Sequence, residues 1–160
     1  MDKLWAPWRK AYILNYSKQK CFICHIKKAP SRNDPKNLVL KRTPHSLVAL
    51  NLYPYNSGHL LVMPKRHVKD LTYLNDGELL DLFRTVNEMT RLIKKSMKMQ
   101  GMNIGINLGR PGGAGLPGHV HVHLVPRFAG DSNFMPVIAQ TKVISESLVS
   151  VFQRFKKHLK

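Results

Sequence analysis

Three histidines occupy alternate positions of one short segment, His119, His121 and His123, with valine between them. In a β-strand, side chains alternate between faces, and residues two apart lie about 6.8 Å from each other. A helix would scatter the three imidazoles, and the β-branched Val120 and Val122 disfavour a helix. The segment therefore predicts a strand over residues 119–125 with three imidazoles on one face. Near neutral pH, imidazole can attack phosphorus, transfer a proton, bind a metal or donate a hydrogen bond.

A glycine-rich stretch precedes this segment: five of the ten glycines lie between Gly109 and Gly118. Such a loop lets main-chain N–H groups approach a bound anion closely, because no Cβ intervenes. It is not a Walker P-loop, since no Gly-Lys-Ser/Thr follows. On its own it is more typical of a flexible connection. Its position directly before the histidines favours a phosphate-binding loop.

The histidine segment resembles the signature of the histidine-triad (HIT) family, in which histidine alternates with apolar residues. The glycine-rich loop, Pro126-Arg127 and residues 51–64, with an asparagine, a proline and Gly58-His59, resemble other parts of that family. Residues 4–9 and 130–134 resemble its diadenosine tetraphosphate phosphorylase-like branch. The resemblance covers essentially the whole chain.

The resemblance implies a role for each matching position. His121 would be the nucleophile that attacks an α-phosphorus to form a nucleotidyl-histidine intermediate, and His123 would be its catalytic partner at the phosphate. The nucleotide-binding residues it implies are Asn51, His59, Asn107, Gly113, Gly115 and Leu116. Gly115 or Leu116 replaces a hydrogen-bonding residue of the family. That departure argues against the family's short phosphoramidase and triphosphate-hydrolase branches.

The expected function is cleavage of a dinucleoside polyphosphate, with diadenosine tetraphosphate phosphorylase preferred. The alternatives are a hydrolase or adenosine phosphoramidase that releases AMP, and a non-catalytic nucleotide- or nucleic-acid-binding protein. A net charge of +17 favours polyanionic ligands, although a simply lysine-rich surface explains it equally well. No nucleic-acid-binding motif is recognisable. Magnesium is expected only as a companion of the polyphosphate, because no carboxylate cluster marks a site for it.

Both cysteines lie in the run Cys21-Phe22-Ile23-Cys24, which is a common half of a zinc site. The resemblance implies a structural zinc held by Cys21, Cys24, His67 and His119. His25 or His45 could replace His67, and two reduced cysteines without metal are the alternative. The following His25 also completes a c-type haem attachment pattern, which the lack of an export signal disfavours.

The predicted fold is α+β, one domain over residues 1–160 with an antiparallel sheet covered by helices on one face. Its parts are an N-terminal extension (1–35), a core (36–128) and a C-terminal segment with a helix (129–160). Predicted strands cover 37–42, 46–52, 58–63, 102–108 and 119–125. A long crossover helix is predicted over 76–98 and a C-terminal helix over 145–158. The resemblance implies a homodimer. A cytoplasmic location and no membrane span are expected, since no apolar run approaches about 20 residues and the N-terminal residues lack a signal-peptide core.

Overall fold

The computed structural model describes residues 21–131 and 144–159. Within these residues, the strands are β1 (Val39–Arg42), β2 (Ser46–Leu50), β3 (Leu60–Pro64), β4 (Gly101–Ile106) and β5 (Val122–Arg127). The helices are α1 (Phe22–Lys28), α2 (Asp76–Ser96) and α3 (Leu148–His158). The strands form one antiparallel sheet in the order β1-β2-β3-β5-β4. This confirms the predicted α+β fold. The tryptophans of residues 4–9 and most of segment 130–134 lie outside the described residues.

Helix α2 is the long crossover between β3 and β4. Its first residue is the predicted one, and its last residue comes earlier than predicted. The Asn75 side chain accepts a hydrogen bond from the Glu78 amide, and the Glu78 carboxylate accepts one from the Asn75 amide. This reciprocal capping box satisfies two helix-end donors and fixes the start at Asp76. The helix ends at Ser96, two residues before the predicted end, because Met97 already adopts an extended conformation.

The sheet has apolar contacts on both faces. On one face, α2 and α3 pack against alternate strand residues such as Val62, Val122 and Leu124 in the main core. On the opposite face, Ile23 and Ile26 of α1 pack in a second cluster with Leu47, Leu61 and Met63. The prediction of helices on one face only was therefore wrong. It missed α1, because this segment of seven residues is too short to show a helical period.

The histidine strand also begins later than predicted. β5 starts at Val122, so His119 and His121 precede it, and it continues through Pro126 to Arg127. Its pairing with β3 covers only Val122 to Leu124, whereas β4 pairs along all of β5. Pro126 is tolerated because β3 no longer flanks the strand there, so its missing N–H leaves no ladder bond unmade. Before the strand, the Val120 amide donates to the Val68 carbonyl (2.7 Å), which keeps this segment beside the chain that follows β3.

None of the helices in the described ranges combines the length and apolar character that crossing a bilayer requires.

Candidate active site and metal centre

The histidine cluster forms where β3 and β5 lie side by side. His59 directly precedes β3, and Leu61 of that strand pairs with His123 of β5. The Nε2 atom of His59 lies 2.9 Å from Nδ1 of His123, and the ring centroids of His121 and His123 are 4.8 Å apart. His59, His121 and His123 are all buried. The chain thus gathers three imidazoles from two sequence segments into one enclosed group.

The hydrogen bonds of this cluster fix its tautomers. The Tyr55 amide donates to Nδ1 of His59 (3.0 Å), so this nitrogen must be an acceptor. In a neutral ring the proton then lies on Nε2 of His59, which donates to Nδ1 of His123. The same reasoning places the proton of neutral His123 on Nε2. That atom is buried and lacks a hydrogen-bond partner among the described residues. The relay therefore ends in an N–H group that a bound oxygen could satisfy.

His121 has the opposite tautomer. Its Nδ1 lies 2.8 Å from the carbonyl oxygen of His119, and a carbonyl can only accept, so Nδ1 carries the proton. Nε2 of the neutral ring then carries the lone pair. This is the form required of an imidazole that attacks phosphorus, and the carbonyl can stabilise the positive charge that develops on the ring.

Burial keeps the cluster neutral. It lowers the pKa of His59 to about 3, with repulsion from His123 and His121 adding to the effect. It lowers the pKa of His123 to about 4, with His121 again contributing. Burial also lowers the pKa of His121, opposed by the hydrogen bond to the His119 carbonyl. Neutral tautomers are thus the native state of the cluster near pH 7.

The other predicted nucleotide-binding residues differ in whether they contact the histidine cluster. The Asn51 amide nitrogen lies 3.3 Å from Nδ1 of His59, which places Asn51 beside the relay. Asn107 donates to the Gly113 carbonyl (3.2 Å) and so stabilises the glycine-rich loop. Leu116 packs against the second apolar cluster, and its carbonyl accepts from the His119 amide (3.2 Å). Gly115 lies in the same loop.

Three loop glycines are required by the backbone. Gly109 and Gly113 have φ angles of +67° and +86°, a conformation that side chains rarely adopt. A Cβ at Gly112 would lie 2.3 Å from the Leu108 carbonyl oxygen. The loop is therefore a defined turn rather than a merely flexible connection.

A second group of polar side chains forms a candidate metal centre. Cys21, Cys24, His67 and His119 each offer one ligand atom, and all four atoms lie within 4.8 Å of one another. Cys21 Sγ is 3.2 Å from His119 Nδ1, and Cys24 Sγ is 3.3 Å from His67 Nδ1. Neither His25 nor His45 belongs to this group. The structure thus brings together the four ligands that the resemblance implied.

The donor set fits a tetrahedral metal ion. Zinc–sulfur and zinc–nitrogen bonds of ordinary length place tetrahedral ligand atoms roughly 3.3–3.8 Å apart. The observed sulfur–nitrogen separations include 3.2, 3.3 and 3.9 Å, and no two of the four atoms are more than 4.8 Å apart. The Nε2 atom of His119 lies 2.8 Å from the Pro64 carbonyl and must carry a proton, which leaves Nδ1 as the lone-pair donor toward the cysteines. Burial raises the pKa of the Cys21 thiol, so metal binding there would release a proton.

Sequence reasoning missed one contributor to the cluster, Tyr55. Its ring stacks near His59 and His123, at centroid distances of 4.8 Å and 5.7 Å. The residue lies inside the segment that resembles the family, yet its useful group is a main-chain amide. No residue-type pattern in the sequence could have indicated that amide.

These features define a class of proteins in which histidines at alternate positions of one segment form a site together with a histidine at the start of a neighbouring strand. The chain belongs to the HIT domain family, whose model matches residues 31–130.

Two relatives and one solved structure illustrate what the chain resembles. It is 37% identical over 154 residues to the AP-4-A phosphorylase of Mycobacterium tuberculosis, covering 92% of this chain and 79% of that protein. It is 42% identical over 93 residues to the asymmetrical bis(5'-nucleosyl)-tetraphosphatase of Schizosaccharomyces pombe, covering 58% and 50%. The crystal structure of a Zn-bound histidine triad family protein from Mycobacterium smegmatis superposes with a TM-score of 0.68 at 24% identity, covering 88% and 93%. That structure supports the fold.

Proposed function

We propose that this protein cleaves diadenosine tetraphosphate at an α-phosphate and passes the adenylyl group to inorganic phosphate. The observation that carries the proposal is the tautomer of His121, whose Nδ1 proton is held by the His119 carbonyl and whose lone pair lies on Nε2. The similarity to the AP-4-A phosphorylase of M. tuberculosis supports the choice of substrate and acceptor.

The reaction has two balanced steps. Nε2 of His121 attacks the α-phosphorus, a P–N bond forms, and the bond to the bridging oxygen breaks so that ATP departs. Phosphate oxygen then attacks the adenylyl-histidine, the P–N bond breaks, and ADP leaves. Two displacements predict ping-pong kinetics and net retention at phosphorus.

Neighbouring groups would stabilise the charge that moves during these steps. The unpartnered N–H of His123 would donate to a phosphate oxygen on the departing side. His59 holds His123 in the required tautomer, and Asn51 supports His59. Main-chain N–H groups of residues 113–116 would bind the phosphate, and any magnesium would arrive with the substrate.

A hydrolase is the second candidate, because one relative is named an asymmetrical tetraphosphatase. The chemistry of His121 would be the same, with water as the acceptor and AMP as the product. The two reactions differ only in the molecule that accepts the adenylyl group.

The same site residues suggest a structural zinc ion held by Cys21, Cys24, His67 and His119. Two thiolates and two imidazoles are the ligands that zinc prefers. An ion there would hold α1 to the segments around His67 and His119, and so leave His121 as the reactive histidine. Reduced thiols of this kind suit a cytoplasmic protein.

We also propose a homodimer. Strand β4 is an edge of the sheet, and Ile104 on it is 49% exposed. Pairing with a second copy through the β4 main chain would protect this edge. Sedimentation velocity should give twice the chain mass, and a monomer at micromolar concentration would refute this assignment.

Product analysis tests the proposed activity. Anion exchange should show ATP and ADP only when inorganic phosphate is present, whereas ATP and AMP in its absence would identify a hydrolase. His121→Ala should abolish turnover and retain the fold. His45→Ala removes an exposed imidazole and should retain full activity. Unchanged turnover in His121→Ala would refute the mechanism.

A further inference from the structure

A small cavity lies beside the histidine cluster, on the side of His123. It has a volume of about 200 Å³, and its walls include Tyr55, Asn103, Gly105, Asn107 and His123. His121 does not line it. We propose that this cavity binds the adenine base of the departing nucleotide, an assignment that rests on the proposed function.

The walls have the chemistry of a nucleobase site. Tyr55 is 53% exposed, and its ring can offer an aromatic surface for stacking. The cavity is smaller than the 300–1,000 Å³ range of sites for drug-sized ligands, which suits one base rather than a whole nucleotide. None of the five residues is cationic, so the cavity is not suited to a free phosphate.

The two asparagines offer complementary hydrogen-bonding groups. Arg127 donates to Oδ1 of Asn103 (2.9 Å), which fixes that atom as the oxygen and leaves the amide nitrogen of Asn103 as a donor. Asn107 uses its amide nitrogen toward the Gly113 carbonyl, which leaves its oxygen as an acceptor. The cavity thus offers a donor and an acceptor to adenine, in which N7 accepts and the N6 amino group donates. Guanine presents two acceptors at the same edge.

Gly105 keeps the floor of the cavity open. It lies on β4 directly opposite His123 of β5, so a side chain at this position would project from the same face as His123. A Cβ built there meets no atom of residues 21–131 or 144–159 within 4 Å. A glycine inside a strand often marks the close approach of a ligand. Neither the backbone angle of Gly105 nor a neighbouring atom of the described residues requires a glycine at this position.

The position of the cavity indicates which end of the substrate it takes. In the proposed reaction His123 donates to the departing side of the α-phosphate. Nucleophile and departing oxygen lie in line on opposite sides of phosphorus. A cavity lined by His123 and not by His121 therefore lies on the departing side. The departing base reaches it when the three phosphates of ATP fold back past His123.

The test compares diadenosine tetraphosphate with adenosine 5′-tetraphosphate, which has the same phosphate chain but lacks the second adenosine, that is, both its ribose and its base. The wild-type protein should have the higher kcat/KM for diadenosine tetraphosphate. Gly105→Val should fill the cavity and lower kcat/KM for diadenosine tetraphosphate at least tenfold, chiefly through KM. Asn103→Asp keeps the acceptor for Arg127 and removes the amide donor. This variant should lower kcat/KM for diadenosine tetraphosphate about threefold to tenfold.

A matched control lies on the same strand and face. Gly101→Val places the same side chain four residues away, where a Cβ would make an ordinary 3.7 Å contact with Arg127, and should change neither substrate. Equal loss on both substrates in Gly105→Val, or no loss on either, would overturn the base-binding assignment. So would a wild-type protein that does not discriminate between the substrates. If the wild-type protein cleaves neither compound, the proposed function fails, and the assignment fails with it.

Discussion

Lowering the pH should destabilise this protein through its buried neutral histidines, and the size of the effect can be worked out. The folded-state pKa is about 3 for His59 and about 4 for His123, against about 6.5 for an unfolded histidine. Below pH 6.5 the unfolded chain therefore binds protons that the folded protein excludes. The contribution of these two histidines to the unfolding free energy is fully present above pH 6.5. It is lost as the pH falls toward their folded-state pKa values.

The resulting loss of unfolding free energy is large enough to measure. At pH 5.5 an unfolded histidine is roughly 90% protonated. Between pH 7.5 and pH 5.5 each of the two histidines should therefore cost about 1.4 kcal/mol of unfolding free energy, or about 3 kcal/mol together. Among the described residues, His121 and Tyr55 are the other titratable groups that contact this pair, through ring packing.

Urea unfolding at the two pH values is the assay. His59→Asn should reduce the pH-dependent loss by about 1.4 kcal/mol relative to the wild-type protein, both measured in the same zinc buffer so that metal effects cancel. His45→Asn, at an exposed position, should keep the wild-type dependence. An identical pH dependence in His59→Asn and the wild-type protein would refute the conclusion that the buried cluster is neutral.

Two further predictions concern the metal centre and the turn before β3. Cys24→Ser should lose the bound zinc by elemental analysis and, if the wild-type ion is at about 1,000 times its Kd, should lower the unfolding free energy by about 4 kcal/mol. Equal zinc content in variant and wild-type protein would contradict the ligand assignment. Gly58→Ala should cost about 2 kcal/mol or more in urea unfolding, because φ is +79° and a Cβ would lie 2.4 Å from Met97 Sδ. Gly105→Ala, where a Cβ meets open space, should cost less than about 0.5 kcal/mol.

The sequence predicted those parts of the fold whose cause is local. Helix α2 was found because its apolar period is long and Asn75 supplies a cap. Helix α1 was missed because its stability comes from Ile23 and Ile26 packing on the sheet. The start of β5 was misplaced because it depends on where β3 lies alongside it, which is a tertiary property.

The site was predictable to the extent that it is built from side chains of characteristic type. The structure brings together the four side chains that the resemblance named as a metal site, and two of them, Cys21 and His119, lie 98 residues apart in the chain. The binding of zinc by these side chains is a proposal. The catalytic and nucleotide-binding roles of the other residues remain predictions. The cavity beside His123 could not be predicted from the sequence, because its polar groups depend on tertiary contacts. The hydrogen bond from Arg127 to Oδ1 of Asn103, for example, determines that the amide nitrogen of Asn103 is the group left as a donor.

The amide of Tyr55 gives the histidine relay its direction, and this has a consequence for how such sites are mapped. A main-chain N–H cannot reverse its role, so the protonation pattern of two imidazoles is determined by the course of the backbone before β3. Shortening the Tyr55 side chain leaves that amide in place, and alanine scanning would record only the loss of ring packing. Replacement by proline, or by an ester at that bond, would remove this donor and leave the Asn51 amide nitrogen, 3.3 Å from Nδ1, as the remaining group that favours the same tautomer of His59. Part of the chemistry of this protein is thus encoded in a group that every amino acid except proline supplies.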